Sequence, residues 1–139
     1  MALPLRVLAV DHNRILREGI CVLIAMQPDL ELVGAVAAAE AAVALFSEKR
    51  PDLTLMDLDL PARESLDAIS RIQRIDPSAW VVALVADECD ERCRHAVVAG
   101  ASTVLAKDLI GKMLVPLIRA GRAASQDQSQ INHLGVHIK

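Results

Sequence analysis

Five short runs of apolar residues, at positions 5–10, 31–37, 53–57, 80–86 and 102–106, alternate along the chain with five longer segments of helical period. In the third long segment Leu66, Ile69, Ile72 and Ile75 fall three apart while Asp67, Arg71, Gln73 and Arg74 take the positions between, giving an apolar stripe and a wet face. The stripe recurs as Leu16, Ile20, Leu23 and Ile24 in the first segment and Ala42, Leu45 and Phe46 in the second. Cys93, Ala96, Val97 and Gly100 form it in the fourth, and Met113, Leu114, Leu117 and Ile118 in the fifth. Strands alternating with helices predict an α/β fold, a doubly wound parallel sheet covered by helices on both faces. Four runs are almost free of polar residues, as interior strands are, whereas residues 31–37 suit an edge. Pro116 falls inside the fifth helical pattern and is expected to delay or kink that helix.

Five strands and five helices are complete by about residue 122, so residues 1–122 read as one domain. Residues 123–139, polar and without period, read as a linker or tail. The 139 residues suffice for a single core, with 53% hydrophobic and 24% charged residues. Phe46 and Trp80 are the only aromatics, so no base-stacking platform can form, and with a net charge of −3 nucleic-acid binding by this chain itself is not expected. No apolar stretch approaches the length of a membrane span, no secretory signal opens the chain, and three cysteines make no disulfide framework. A cytoplasmic, reducing location is expected.

In an open parallel sheet the functional crevice lies at the carboxyl ends of the strands. There the first strand delivers Asp11 and His12, the third Asp57 and then Asp59, and the fifth Lys107. A carboxylate so placed can attack a phosphoryl donor, given a divalent cation held by oxygens and a lysine to neutralise the phosphoryl charge. Residues 57–59 (DLD) also mimic the motif of aspartate-nucleophile phosphatases, but those place it after the first strand and need a longer chain. Cys89, Cys93 and His95 have helical spacing, yet without a second ligand pair they read as a buried Cys93 with Cys89 near a helix start. His133 and His137 read as incidental, Arg71 and Arg74 as a wet face, and the Ala-rich residues 35–44 as a packing face.

Residues 7–11 (VLAVD), 16–20 (LREGI), 28–34 (PDLELVG), 50–57 (RPDLTLMD), Pro61, 99–101 (AGA) and 105–108 (LAKD) together resemble the receiver domain of two-component response regulators, in the subgroup with a LuxR-type helix-turn-helix output. The likeness covers about residues 5–122. It implies a flavodoxin-like (βα)5 fold with strand order 2-1-3-4-5 and Asp57 as phosphoacceptor, with no enzymatic activity of its own. It further implies Lys107 as the phosphate contact, and Asp11, Asp57 and the Asp59 backbone carbonyl around Mg2+. Implied partners are a sensor histidine kinase and a second copy of the chain, with DNA reached only through an output domain outside these residues. Such a domain normally begins where this chain ends, so it is either a stand-alone receiver or part of a longer regulator.

The sequence departs from the family pattern at several positions. His12 stands where a second acidic residue is usual, and imidazole is a poor ligand for Mg2+, so binding is expected to weaken or shift toward a softer ion. Val85 replaces the Thr or Ser whose hydroxyl meets the phosphoryl group, and Val104 the switch aromatic; residues 62–65 (ARES) replace a glycine-bearing loop. Two readings stand: a phosphorelay receiver with an atypical switch, and a phosphorylation-independent pseudo-receiver that acts by protein association. The altered positions favour the second, whereas retention of Asp11, Asp57 and Lys107 keeps the first open.

Overall fold

The computed structural model describes residues 3–61, 63–87 and 91–133, with side chains as far as residue 125. The chain divides into two compact units, Met1–Asp108 and Leu109–Lys139. The first holds strands β1 (Leu5–Val10), β2 (Leu30–Val36), β3 (Leu53–Asp57), β4 (Trp80–Val85) and β5 (Thr103–Ala106). Its helices are α1 (Arg14–Ala25), α2 (Ala39–Lys49), α3 (Glu64–Ile75) and α4 (Arg92–Ala99). The strands form one parallel sheet in the order β2-β1-β3-β4-β5, the expected flavodoxin-like arrangement, with β2 at an edge. Four strand limits differ from the sequence reading by one residue, at both ends of β2, the end of β4 and the start of β5. Ser102, for instance, belongs to the turn, where its N–H and hydroxyl both bond the Val81 carbonyl.

Strand order and chain direction decide where the helices lie. The β1-to-β2 connection runs one way across the sheet and the next three run the other way. Right-handed crossovers therefore place α1 on one face and α2, α3 and α4 on the opposite one. On the three-helix face Leu8, Val10, Met56, Val81, Ala83 and Val85 pack with Ala42, Phe46, Ile69, Ile72 and Ala96. The alternate strand residues Val7, Ala9, Leu53, Leu55, Val82 and Leu84 are buried as well, which is why β1, β3 and β4 carry almost no polar residues.

Asn13 caps α1, its side-chain oxygen accepting from the Leu16 N–H at 3.1 Å. Arg71 does more than face water: it forks onto Glu40 of α2 at 2.8 and 3.3 Å. On α4 the expected stripe is corrected, because among its described residues only Ala96 is buried, Cys93 is half-buried and Val97 is 52% exposed. An eight-residue helix over a sheet edge has one face to bury, and small Ala96 fills it. Cys89 and residues 88–90 lie outside the described residues, as does His137.

In the second unit α5 runs over Ile110–His133, with Leu114 and Ile118 buried. Pro116 does not delay the start of the helix; the ring is exposed, and the carbonyl of Lys112 that it leaves unpaired belongs to an exposed residue that water can reach. Residues 123–133, part of the stretch that reads as a linker or tail, continue the helix, since Ala and Gln are good helix formers and no Gly or Pro interrupts them. No described helix is long and apolar enough to cross a membrane.

Gly100 ends α4 with φ 132°, and a Cβ there would overlap Cγ of Gln73 and stand 2.8 Å from its Cδ. Gln73 cannot easily yield, because its amide nitrogen donates to the carbonyls of both Ala79 and Gly100. Gly100→Ala is expected to lower stability by about 1–3 kcal/mol, read as a drop in the urea midpoint.

Candidate functional site

The parallel register brings the site residues level with one another. Val10 pairs with Met56, so Asp11 and Asp57, each one residue further along, stand side by side where the strand order turns back. Val85 pairs with Ala106, so Lys107 leaves β5 at the same end of the sheet and reaches back across β4. Asp11 and Asp57 are fully buried, and Lys107 is 14% exposed.

Every oxygen of Asp57 is occupied. Oδ1 lies 2.7 Å from Lys107 Nζ and accepts from the Asp59 N–H at 2.8 Å. Oδ2 accepts from the His12 N–H at 3.2 Å and lies 2.6 Å from His12 Nδ1. An ionised carboxylate only accepts, so the hydrogen of that short contact sits on Nδ1. Ser65 adds a hydrogen bond from its hydroxyl to the Asp57 backbone carbonyl, giving a use to one position of the loop that lost its glycines.

Asp11 is held differently. Its Oδ1 accepts from the Asn13 N–H at 2.8 Å, and its backbone carbonyl accepts from Arg17 at 2.8 Å. Its Oδ2 has no hydrogen-bond donor: Lys107 Nζ, 3.4 Å away, supplies charge without a directed bond. Asp59 presents its side chain, with Oδ2 3.0 Å from Lys107 and Oδ1 accepting from Arg92 at 2.9 Å. Arg92 also donates to the Leu58 carbonyl at 2.7 Å, tying the first turn of α4 to the segment after β3. Val85 is buried and Val104 half-buried, and neither offers a polar group to this network.

These contacts set the charge states. Burial pushes the Asp57 carboxyl up, but the bonds from Lys107, His12 and two backbone amides outweigh it and hold the group below the usual carboxylate range. For Asp11 burial dominates, opposed by the Asn13 amide and reinforced by the charge of Asp57, and the carboxyl is raised. Burial disfavours the Lys107 ammonium, yet its bonds to Asp57 and Asp59 win and raise its pKa.

One ligand atom each from Asp11, His12 and Asp57 lies within 4.8 Å of the others, so these residues could hold a cation, and Asp11 Oδ2 is the buried oxygen among them without a hydrogen-bond donor. The two carboxylates suit Mg2+, which takes oxygen ligands, whereas the imidazole is a poor ligand for it.

A model of the response regulator receiver domain matches residues 7–119. The chain belongs to that family. This receiver is 28% identical over 127 residues to the nitrate/nitrite response regulator NarL of Escherichia coli K12, covering 91% of this chain and 59% of that one. It is 30% identical over 117 residues to the response regulator VraR of Staphylococcus aureus, covering 84% and 56%. The receiver thus spans little more than half the length of these curated relatives. A LuxR-family regulator from Aurantimonas sp. SI85-9A1 superposes with TM-score 0.80 at 31% identity, over 87% of this chain and 86% of that one. A CheY-like receiver from Methanospirillum hungatei JF-1 shares the fold, with TM-score 0.81 at 18% identity, over 91% and 99%.

The predicted residues Asp11, His12, Asp57, Asp59 and Lys107 therefore meet in one network. Sequence reasoning assigned nothing to Arg92, Ser65 or Arg17. Asn13 carried a signal, a capping residue directly before a helix, whereas Arg92 reaches Asp59 across 33 positions and no local pattern marks it.

Removing the ammonium leaves Asp11 and Asp57 buried beside one another. Lys107→Met is expected to cost about 3–5 kcal/mol at neutral pH. Because Asp57 is depressed in the fold, the stability its pairing confers is present above the unfolded carboxyl pKa and lost as pH falls through the folded value. The gap between parent and variant should therefore shrink as pH falls below the ordinary aspartate value of 3.8, which urea titrations at pH 7 and pH 3 will read.

Proposed function

We propose that this receiver accepts a phosphoryl group on Asp57 from the phosphohistidine of a sensor kinase, and acts as a cytoplasmic signalling module rather than an enzyme with a substrate of its own. One observation carries this: a carboxylate at the end of the central strand, held ionised and 2.7 Å from a buried lysine. In the transfer a carboxylate oxygen bonds to phosphorus while the bond from phosphorus to imidazole nitrogen breaks and the electron pair leaves with the nitrogen. Lys107 neutralises the phosphoryl oxygens. A divalent cation bound at Asp11 and Asp57 would supply further charge neutralisation, and His12 in place of an oxygen donor weakens the binding of Mg2+ there. For the transfer one oxygen of Asp57 must shed a donor. The half-exposed His12 ring is easier to displace than Lys107.

The length of the relatives supports a longer regulator, in which DNA binding resides outside these residues and the receiver works through a homodimer or an output partner. A second reading has its own observation: both oxygens of Asp57 are already saturated, and Val85 supplies no hydroxyl to sense a phosphoryl group. On that reading the fold signals by association alone.

Intact mass after incubation with acetyl phosphate and Mg2+ separates the two. A single phosphoryl adduct on the parent and none on Asp57→Ala is the expected outcome; no adduct on the folded parent would establish the pseudo-receiver reading instead.

A further inference from the structure

The donor set beside Asp57 differs in kind from an all-oxygen magnesium site, and the difference has direction. We propose that Asp11, His12 and Asp57 form a site for a borderline divalent d-block ion, of the Zn2+, Co2+ or Ni2+ class, in preference to Mg2+. The proposal rests on reading this crevice as the receiver's cation position.

Four observations carry it. The Asp11 Oδ2 atom is fully buried and lacks a hydrogen-bond donor, an arrangement that a cation would satisfy. The ligand atoms of the three residues lie within 4.8 Å of one another, close enough for side-chain shifts to gather them on one ion, which takes the place of the hydrogen between His12 Nδ1 and Asp57 while the imidazole keeps its hydrogen on Nε2. The His12 ring is aimed at the site by its own main chain, whose N–H donates to the same Asp57 oxygen that Nδ1 approaches at 2.6 Å. Its side chain is also 49% exposed, leaving water a path to further coordination positions.

The chemistry then discriminates between ions. Mg2+ dehydrates reluctantly and requires a near-octahedral shell of oxygens, so exchanging a carboxylate for an imidazole removes both charge and a hard donor. Imidazole with carboxylate suits Zn2+, Co2+ and Ni2+, whose affinity for nitrogen ligands exceeds that of the hard ions. Lys107 and Arg92 stand against the three carboxylates of Asp11, Asp57 and Asp59, so the pocket keeps a formal negative charge that a dication compensates.

All divalent d-block ions outbind Mg2+ at many sites, so the test is a change in preference. The full chain is titrated with Co2+ by visible absorption and with Zn2+ and Mg2+ by calorimetry, beside His12→Ala and His12→Asp, each checked for folding by circular dichroism. The expected result is that His12→Ala loses the parent's Co2+ absorption band. His12→Asp should bind Mg2+ better and reduce the ratio of Zn2+ to Mg2+ affinity by at least about 10-fold, as loss of a ligand or its support typically does. An unchanged ratio in folded His12→Asp, or a Co2+ band that survives His12→Ala, would overturn the proposal and place the ion on other residues. The outcome is separable from phosphorylation: an adduct on Asp57 with unchanged ion preference defeats this inference alone, and a His12-dependent Co2+ site without an adduct defeats only the phosphoacceptor reading.

Discussion

One ammonium group, that of Lys107, holds together the carboxyl ends of three strands. It lies within 3.4 Å of carboxylate oxygens from Asp11, Asp57 and Asp59, two of them fully buried. Burying two carboxylates side by side is expensive unless a cation is fixed between them. The parallel register makes that geometry available, because Asp11 and Asp57 follow paired residues on adjacent strands while β5 releases Lys107 at the same end. The apolar strands beneath, buried on both faces, keep that end of the sheet rigid.

The unequal treatment of the two aspartates follows from this arrangement. Asp57 collects four donors and stays ionised, whereas Asp11 keeps one oxygen without a donor and a raised carboxyl. The proposed phosphoryl acceptance would use that asymmetry: one carboxylate as the nucleophile, the other with a lone pair for a cation. His12 alters the balance by donating to Asp57 from the position where the family pattern places an oxygen ligand. Arg92 adds a link of a different kind, since it connects Asp59 and Leu58 to α4 by charge and hydrogen bonding while Val85 and Val104 contribute only packing.

The strand runs and the ends of β1, β3 and β5 were legible because hydrophobic period and strand-end chemistry are local signals. Asp11, Asp57 and Lys107 stand out by following apolar runs. What lay beyond the sequence was set by long-range contact. Nothing near Arg92 announces a partner 33 residues away, and Arg71 reads as solvated until α2 places Glu40 beside it. The extent of α5 was misread for another reason: polar composition without period resembles a tail, although Gln, Ala and Arg propagate a helix that is already nucleated.

The shared ammonium keeps Asp57 ionised while Asp11 bears the cost of burial. Carbon-13 NMR titration of the aspartate side-chain carboxyls, assigned through Asp57→Asn and Asp11→Asn, measures this directly. The account predicts that the Asp57 carboxyl titrates below the ordinary aspartate range and that of Asp11 above it. An Asp57 carboxyl that titrates at or above the ordinary range, or an Asp11 carboxyl below it, would contradict the account.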